Sequence, residues 1–286
     1  MNRDHFSELY SLFEKLSSAP AGTEDGIWDQ MITVCAAAIG SEAATYFEAE
    51  EKQKTLTFRR SMGPVGSDIV GMSFGYQGIA GWCAENRKPI LVADAGSDPR
   101  FTKKVDMLSG FVTKSVMAVP ALAGGRLLGV AEFINRAAGG AFGEEDLRLA
   151  AMAASLAARD AYVCRLENTV AQLTMKVEST INNLSGGFIG VDLSGKVIFF
   201  NPKAQEIFDV GGEYMGKNII SLFQLSPNIV SAIGDVLKLG KTVRRQEFKL
   251  SVGGRIKVIG YSSISIKGVD GVASGAGVIF QDITNL

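Results

Sequence analysis

The sequence predicts an α+β fold in which two antiparallel-sheet domains are joined by a long coiled-coil helix. Three observations carry that prediction. The 286 residues exceed what one compact core ordinarily fills. Short apolar runs punctuated by turn residues occur in both halves of the chain. Between them, apolar residues from Leu149 to Leu184 recur at alternating steps of three and four.

The elements follow in order. Phe6, Leu9, Phe13 and Leu16 form one apolar seam, which predicts an N-terminal helix over 1–20 broken at Pro20. Thr23 caps a second helix that runs through Cys35 and Ile39 to Gly40. Strands then follow at ATYF, at TLTF after the polar EEKQK, and at PILVAD, SVMAVPAL and RLLGVAEFIN. Gly124-Gly125 turns the last two into a hairpin. This first domain spans 21–162.

The long helix spans 143–184, roughly 60 Å at ~1.5 Å per residue. Its grid is Leu149, Met152, Leu156, Val163, Leu166, Val170, Leu173, Val177 and Leu184, with Arg159 and Thr180 as the polar members. The Ala-rich first half is expected to pack on its own sheet. Beyond about Tyr162 the seam needs a second copy to cover it, so a homodimer through 143–184 is expected.

Ser185-Gly-Gly187 ends the helix and opens a second domain over 185–286. GFIGVD and KVIFF flank the turn Leu193-Ser-Gly195, and Asn201-Pro202 starts a short helix. The strand-rich tail reads RRQEFKLSV, RIKVIGYSSISI and GAGVIFQDIT.

Composition narrows function. With 30 acidic against 29 basic residues, the whole chain has no electrostatic pull toward nucleic acid or an anionic membrane, though a local patch stays open. No recognition-helix module or basic stripe follows Ile283. The one histidine, His5, leaves a phosphoacceptor kinase module, a haem site, a catalytic triad or a multi-histidine metal site without its residues. Cys35, Cys83 and Cys164 form no CxxC pair, which suits a reducing cytoplasm. Leu149–Ala158 is short and bracketed by Arg148 and Arg159, so no membrane span is expected, and the N-terminus has no signal-peptide core. Gly211-Gly212 and the glycine-rich stretch 268–277 lack a phosphate-loop pattern and read as turns.

The stretch GIAGWCAENRKPILVADAGSDPRF, within 26–162, resembles GAF domains. KKVDMLSGFVTKSVMAVP and GVAEFINR are similar to the GAF domains of cyclic-nucleotide phosphodiesterases and some adenylate cyclases. GVDLSGKVIFFNPKAQEIF, a later GK and the terminal QDIT, within 177–286, resemble a PAS domain. The GAF resemblance implies a structural latch at Asn135, Arg136, Phe142 and Asp146, with Leu147 where the group has a second acid. It also implies ligand contacts at Ile79 and Ala80 in the GIA turn, where Gly78 and Gly81 allow close approach. Thr102, Asp106, Ser109 and Thr113 would cover the ligand from a lid, with Glu132 beneath.

Each of these positions has a plainer reading. Asp106 and Glu132 also fit a solvated acid and a cross-strand partner, and the three hydroxyls fit helix caps. Trp82 and Phe101 fit core or pocket wall. Ser61-Met62 stands where the group places an aromatic and an acid against the purine, so neither cAMP nor cGMP is preferred. The expectation is a cytoplasmic, non-catalytic sensor of a small molecule, with cAMP or cGMP as ligand, no metal, and an output supplied by a separate or missing partner. Two alternatives stand beside it. One is a dimeric interaction scaffold without ligand, and the other a sensory fragment of a longer kinase, cyclase or transcription regulator.

Overall fold

The computed structural model describes residues 14, 22–64, 70–102, 111–211, 214–222 and 226–285. Apart from Glu14, the helix expected over 1–20 lies outside them, as do Asp106 and Ser109. The chain divides into two compact units, 1–170 and 171–286.

In the first unit, α1 (Glu24–Ile39) starts where Thr23 Oγ1 accepts the Gly26 N–H at 3.1 Å, and it stops at Gly40. The strands are β1 (Ser41–Glu50), β2 (Thr55–Met62), β3 (Ser73–Gly75), β4 (Ile90–Val92), β5 (Val116–Ala123) and β6 (Arg126–Arg136). They form one antiparallel sheet in the order β3-β2-β1-β6-β5-β4. Alternation along each strand gives the sheet two apolar faces. Ala44, Tyr46, Met117, Ala131 and Phe133 meet α1 and the long helix, while Phe47, Phe58, Ala118 and Val130 meet α2 (Gly78–Asn86).

The first face closes tightly. Trp28 of α1 stacks on Tyr46 of β1 with ring centroids 3.8 Å apart, and Tyr46 Oη donates to the Leu128 carbonyl at 3.1 Å. Gly129 makes room for this. A Cβ there would lie 2.1 Å from the Phe47 carbonyl oxygen and 2.6 Å from the Tyr46 ring.

The long helix, α3 (Glu144–Asn182), meets the same face through its smallest side chains: Ala150, Ala153, Ala154, Ala157, Ala158 and Ala161 are buried. Leu149 and Leu156 are half-buried, and Met152, Val163, Leu166 and Val170 are exposed. The apolar seam read from the sequence is therefore a different face from the one that holds the helix to its domain. Arg165 fastens the helix further along, reaching Glu24 of α1 and Glu48 of β1, the latter at 3.0 Å.

The second unit takes up α3 from residue 171. Its strands β7 (Gly187–Asp192), β8 (Val197–Phe200), β9 (Gln246–Val252), β10 (Arg255–Lys267) and β11 (Ala273–Asp282) pair in the antiparallel order β8-β7-β11-β10-β9. Helices α4 (Pro202–Phe208) and α5 (Pro227–Leu239) cover one face, around Ile189, Val191, Ile233, Ile259, Val278 and Phe280. Asn201 is buried with its amide fully used. Its Oδ1 accepts the N–H groups of Phe188 (2.8 Å) and Ala204 (2.9 Å), and its Nδ2 donates to the carbonyls of Ile181 and Gly186, both at 3.0 Å. One side chain thus joins the last turn of α3, the first strand and α4. Among the described residues no helix is long and apolar enough to cross a membrane.

Gly129→Ala forces a methyl into backbone and ring and is expected to cost about 2 kcal/mol or more. Urea unfolding should show that loss in the first unit, while the second keeps its midpoint.

Candidate functional site

The face of the first sheet under α2 is apolar except along one row. Thr45 on β1 is in register with Ser61 on β2 and with Glu132 on β6, and Glu132 is in register with Ala118 on β5. The Thr45 and Ser61 hydroxyls lie 3.1 Å apart. Thr45 is buried, while Ser61 and Glu132 are half-buried. Met62, one residue on, turns to the opposite face and packs with α1. Of the pair Ser61-Met62, only the serine lies on this face. Thr45 went unnoticed in the sequence, although it alternates with buried Tyr46 and shares a face with Phe47.

The α2 helix forms the roof. The GIA stretch is its first turn, with the side chains of Ile79 and Ala80 buried at 3% and 4% exposure, so the close approach expected there falls to their backbone. Gly81 is needed for the chain's own packing, because a Cβ there would lie 2.3 Å from the Tyr76 carbonyl carbon. No side chain caps the first turn among the described residues. Thr102 is exposed, with its Oγ1 3.5 Å from where a Gly78 Cβ would sit. Cys83 faces the sheet and is fully buried; burial pushes its thiol pKa up, and the Glu132 carboxylate adds to the shift. Trp82 is no free stacking platform, since the Arg100 guanidinium lies 5.1 Å from its ring centroid. Asp98 holds Arg100 there at 2.5 Å, and that hydrogen bond lowers the Asp98 pKa to about 2. Phe101 packs as pocket wall.

The strongest polar contacts lie at the far end of β6. Asn135, 4% exposed and left-handed at φ 54°, uses its whole side-chain amide. Its Oδ1 accepts the N–H groups of Lys114 (2.7 Å) and Ser115 (3.3 Å). Its Nδ2 donates to the Val112 carbonyl (2.9 Å) and to Glu42 Oε2 (3.0 Å). The segment around buried Thr113 is thereby fixed to the ends of β1 and β6. Arg136, expected to tie β6 to the long helix, does so only weakly. It stands 3.8 Å from Asp146 with its side chain 41% exposed, a geometry of about 0–1 kcal/mol. Asp146 Oδ2 instead accepts the Gly143 N–H at 2.8 Å at the start of α3, and Phe142 is buried in the core beside it.

The sequence matches the GAF domain family over residues 27–160 and the PAS fold over 176–283. The chain carries a GAF domain followed by a PAS domain. Both are regulatory sensor domains, which gives the chain a signalling or sensory role. A dual 3',5'-cyclic-AMP and -GMP phosphodiesterase 11 of Drosophila melanogaster is 39% identical over 80 residues, 28% of this chain and 5% of that protein. Phosphodiesterase 11A of Takifugu rubripes, also named as dual-specificity, is 37% identical over 71 residues, 24% of this chain and 8% of that one. The chain therefore spans under a tenth of these relatives, and its likeness is to their GAF domains. The GAF domain of a phosphoenolpyruvate-protein phosphotransferase from Coxiella burnetii superposes with a TM-score of 0.51 at 17% identity, covering 58% of this chain and 96% of that one. At that identity it speaks for the fold alone.

Asn135→Ala strands the buried Ser115 N–H and removes three further bonds to Lys114, Val112 and Glu42, and is expected to destabilise the GAF domain by about 1–3 kcal/mol. Arg136→Ala should cost under about 1 kcal/mol. Chemical denaturation of both variants checks the ranking, which reverses if the ion pair is the true latch.

Proposed function

We propose that the chain is a non-catalytic, cytoplasmic, homodimeric sensor whose GAF domain binds a cyclic nucleotide between α2 and the sheet. The observation that carries this reading is the polar row Ser61–Thr45–Glu132 on an otherwise apolar face. Hydroxyls and a half-buried carboxylate suit the hydroxyls of a ribose or the amine of a base, which need acceptors in a dry setting. The uncapped first turn of α2, with Thr102 beside it, suits a phosphate. Thr113 closes the same stretch of chain, and Asp106 and Ser109 belong to it in sequence. The relatives' named cyclic-AMP and cyclic-GMP activity supports the ligand class.

Transmission follows the clamp. A ligand that moves the stretch through Thr113 acts on Asn135, and from there on the β6 end and on Phe142 at the root of α3. The exposed run Val163, Leu166, Val170, Leu173 and Val177 suits pairing with a second copy, so the output is a change in how two helices pair. Such coupling requires the ligand to bind the two arrangements with different affinity. In the PAS domain the buried polar side chains Asn201, Ser226 and Ser263 all serve backbone groups, which suits a transducer. The output itself lies with a partner or a further domain. Ser61-Met62, in place of an aromatic and an acid, favours a second reading, a scaffold that dimerises without ligand.

A thermal-shift titration with cAMP, cGMP and linear AMP separates the two. At ~100 times Kd a true ligand adds ~2.7 kcal/mol, a rise of about 5–10 °C for the GAF domain. Glu132→Gln should weaken it about tenfold, since hydrogen bonds to charged groups contribute ~1.5–3 kcal/mol. No shift from either cyclic nucleotide, in protein free of bound nucleotide, favours the scaffold. Separately, Val170→Glu with Leu173→Glu should convert the dimer to a monomer by light scattering; an unchanged mass would place the interface elsewhere.

A further inference from the structure

Positive charge is concentrated in one stretch of the PAS domain. Residues 238–257 hold seven lysines and arginines against one acid, Glu247, in a chain with 29 basic and 30 acidic residues. The remainder of the chain is therefore acidic. Lys241, Arg244, Arg245, Lys249 and Arg255 are exposed, and none pairs with a described carboxylate. Of the other two, Lys257 donates to the Ile207 carbonyl at 3.0 Å and Lys238 stands in the last turn of α5.

These cations line the edge of the sheet. β9 is its outermost strand, paired with β10 without a register shift from Gln246↔Tyr261 to Val252↔Arg255. The extended edge begins upstream of β9. The Val243 N–H donates to Ser263 Oγ, the Ser263 N–H to the Val243 carbonyl, and the Arg245 N–H to Ser262 Oγ. The backbone of 243–252 thus runs along β10 on one side, slipping one residue in register where Arg245 turns left-handed at φ 51° and regular from Gln246 to Val252, with no described strand on the other. A long, regular edge is a template for another strand. Proteins guard such edges with proline, a bulge, a short strand or charge. Here 246–252 contains no proline and its pairing no bulge, so past the kink at Arg245 the guard is charge. A guard mostly of one sign, Arg244, Arg245 and Lys249 against Glu247, is selective: it repels a second basic edge, including the β9 of another copy, and accepts an acidic one.

We propose that the β9 edge is a docking strand for an acidic, extended segment of a partner protein, which adds as a sixth strand. Main-chain hydrogen bonds hold it, and its carboxylates meet Lys249, Arg244 and Arg245. This goes beyond the ligand-binding reading and does not depend on it.

Fluorescence anisotropy on the full chain tests it with three labelled probes. One is a peptide of alternating glutamate and valine, the second its counterpart of equal charge with prolines replacing the valines, and the third a single-stranded oligonucleotide of equal charge. The glutamate–valine peptide should bind and weaken with salt. Arg244→Glu with Lys249→Glu should reduce its affinity about tenfold, two pairs turned from attractive to repulsive. The proline peptide should fail, because it offers few N–H groups to the edge. Equal binding of the proline peptide, tighter binding of the oligonucleotide, or no binding of the first peptide overturns the proposal. The proline comparison uses the unaltered protein, so it decides even if the double variant misfolds.

Discussion

A helix can lie close to a sheet only as far as its side chains let it, and six alanines set that limit here. Ala150 to Ala161 turn the methyl face of α3 onto the GAF sheet, so the fully buried side chains of the helix are all alanines, with Leu147, Leu149 and Tyr162 packed at the border. The bulky residues from Val163 onward fall on its other sides. That is why Val163, Leu166 and Val170 stand in solvent although they keep perfect apolar spacing. A leucine-faced helix would have spent its hydrophobic seam on its own domain and left nothing with which to address another chain.

Two buried asparagines serve the two domains in the same way. Each amide has two donor hydrogens and a carbonyl that accepts twice, and both Asn135 and Asn201 use the full set on backbone groups or a carboxylate. Such a side chain is an exacting joint. It satisfies segments that have no strand or helix to satisfy them, and it tolerates no replacement that lacks either end of the amide. In the GAF domain the joint gathers the stretch after the roof helix; in the PAS domain it gathers the end of α3. The ion pair between Arg136 and Asp146, more visible in the sequence, is long and wet by comparison.

Much of this was legible from residues alone. Thr23, Gly40 and the Asn201-Pro202 start behave as their local chemistry dictates, and the two sheets follow from period-two runs and turns. The GIA stretch was read as a turn because three residues that open on a glycine are too few to carry a helical period. Helix α5 was passed over despite Ser226-Pro227 at its start and Gly240 at its end, since it lies in a stretch read mainly for turns. The polar row was half legible. Glu132 and Ser61 were noticed through resemblance, whereas Thr45 becomes meaningful only when three strands are set in register. The side to which Met62 turns depends on the register shift between Tyr46 and Phe47, and no periodicity reveals a bulge.

The burial of Cys83 gives the roof helix a reactive clock. Its sulfur lies on the inner side of α2, where desolvation keeps it protonated and a reagent has no access. Alkylation there must wait until α2 lifts from β6, so the rate of modification counts those openings in time. Cys35 is as deeply buried on the other side of the sheet, its thiol raised to about 12, and reacts only when that core opens. The chain therefore holds two internal stopwatches, one for the lifting of α2 from the sheet and one for the opening of the core on its other side.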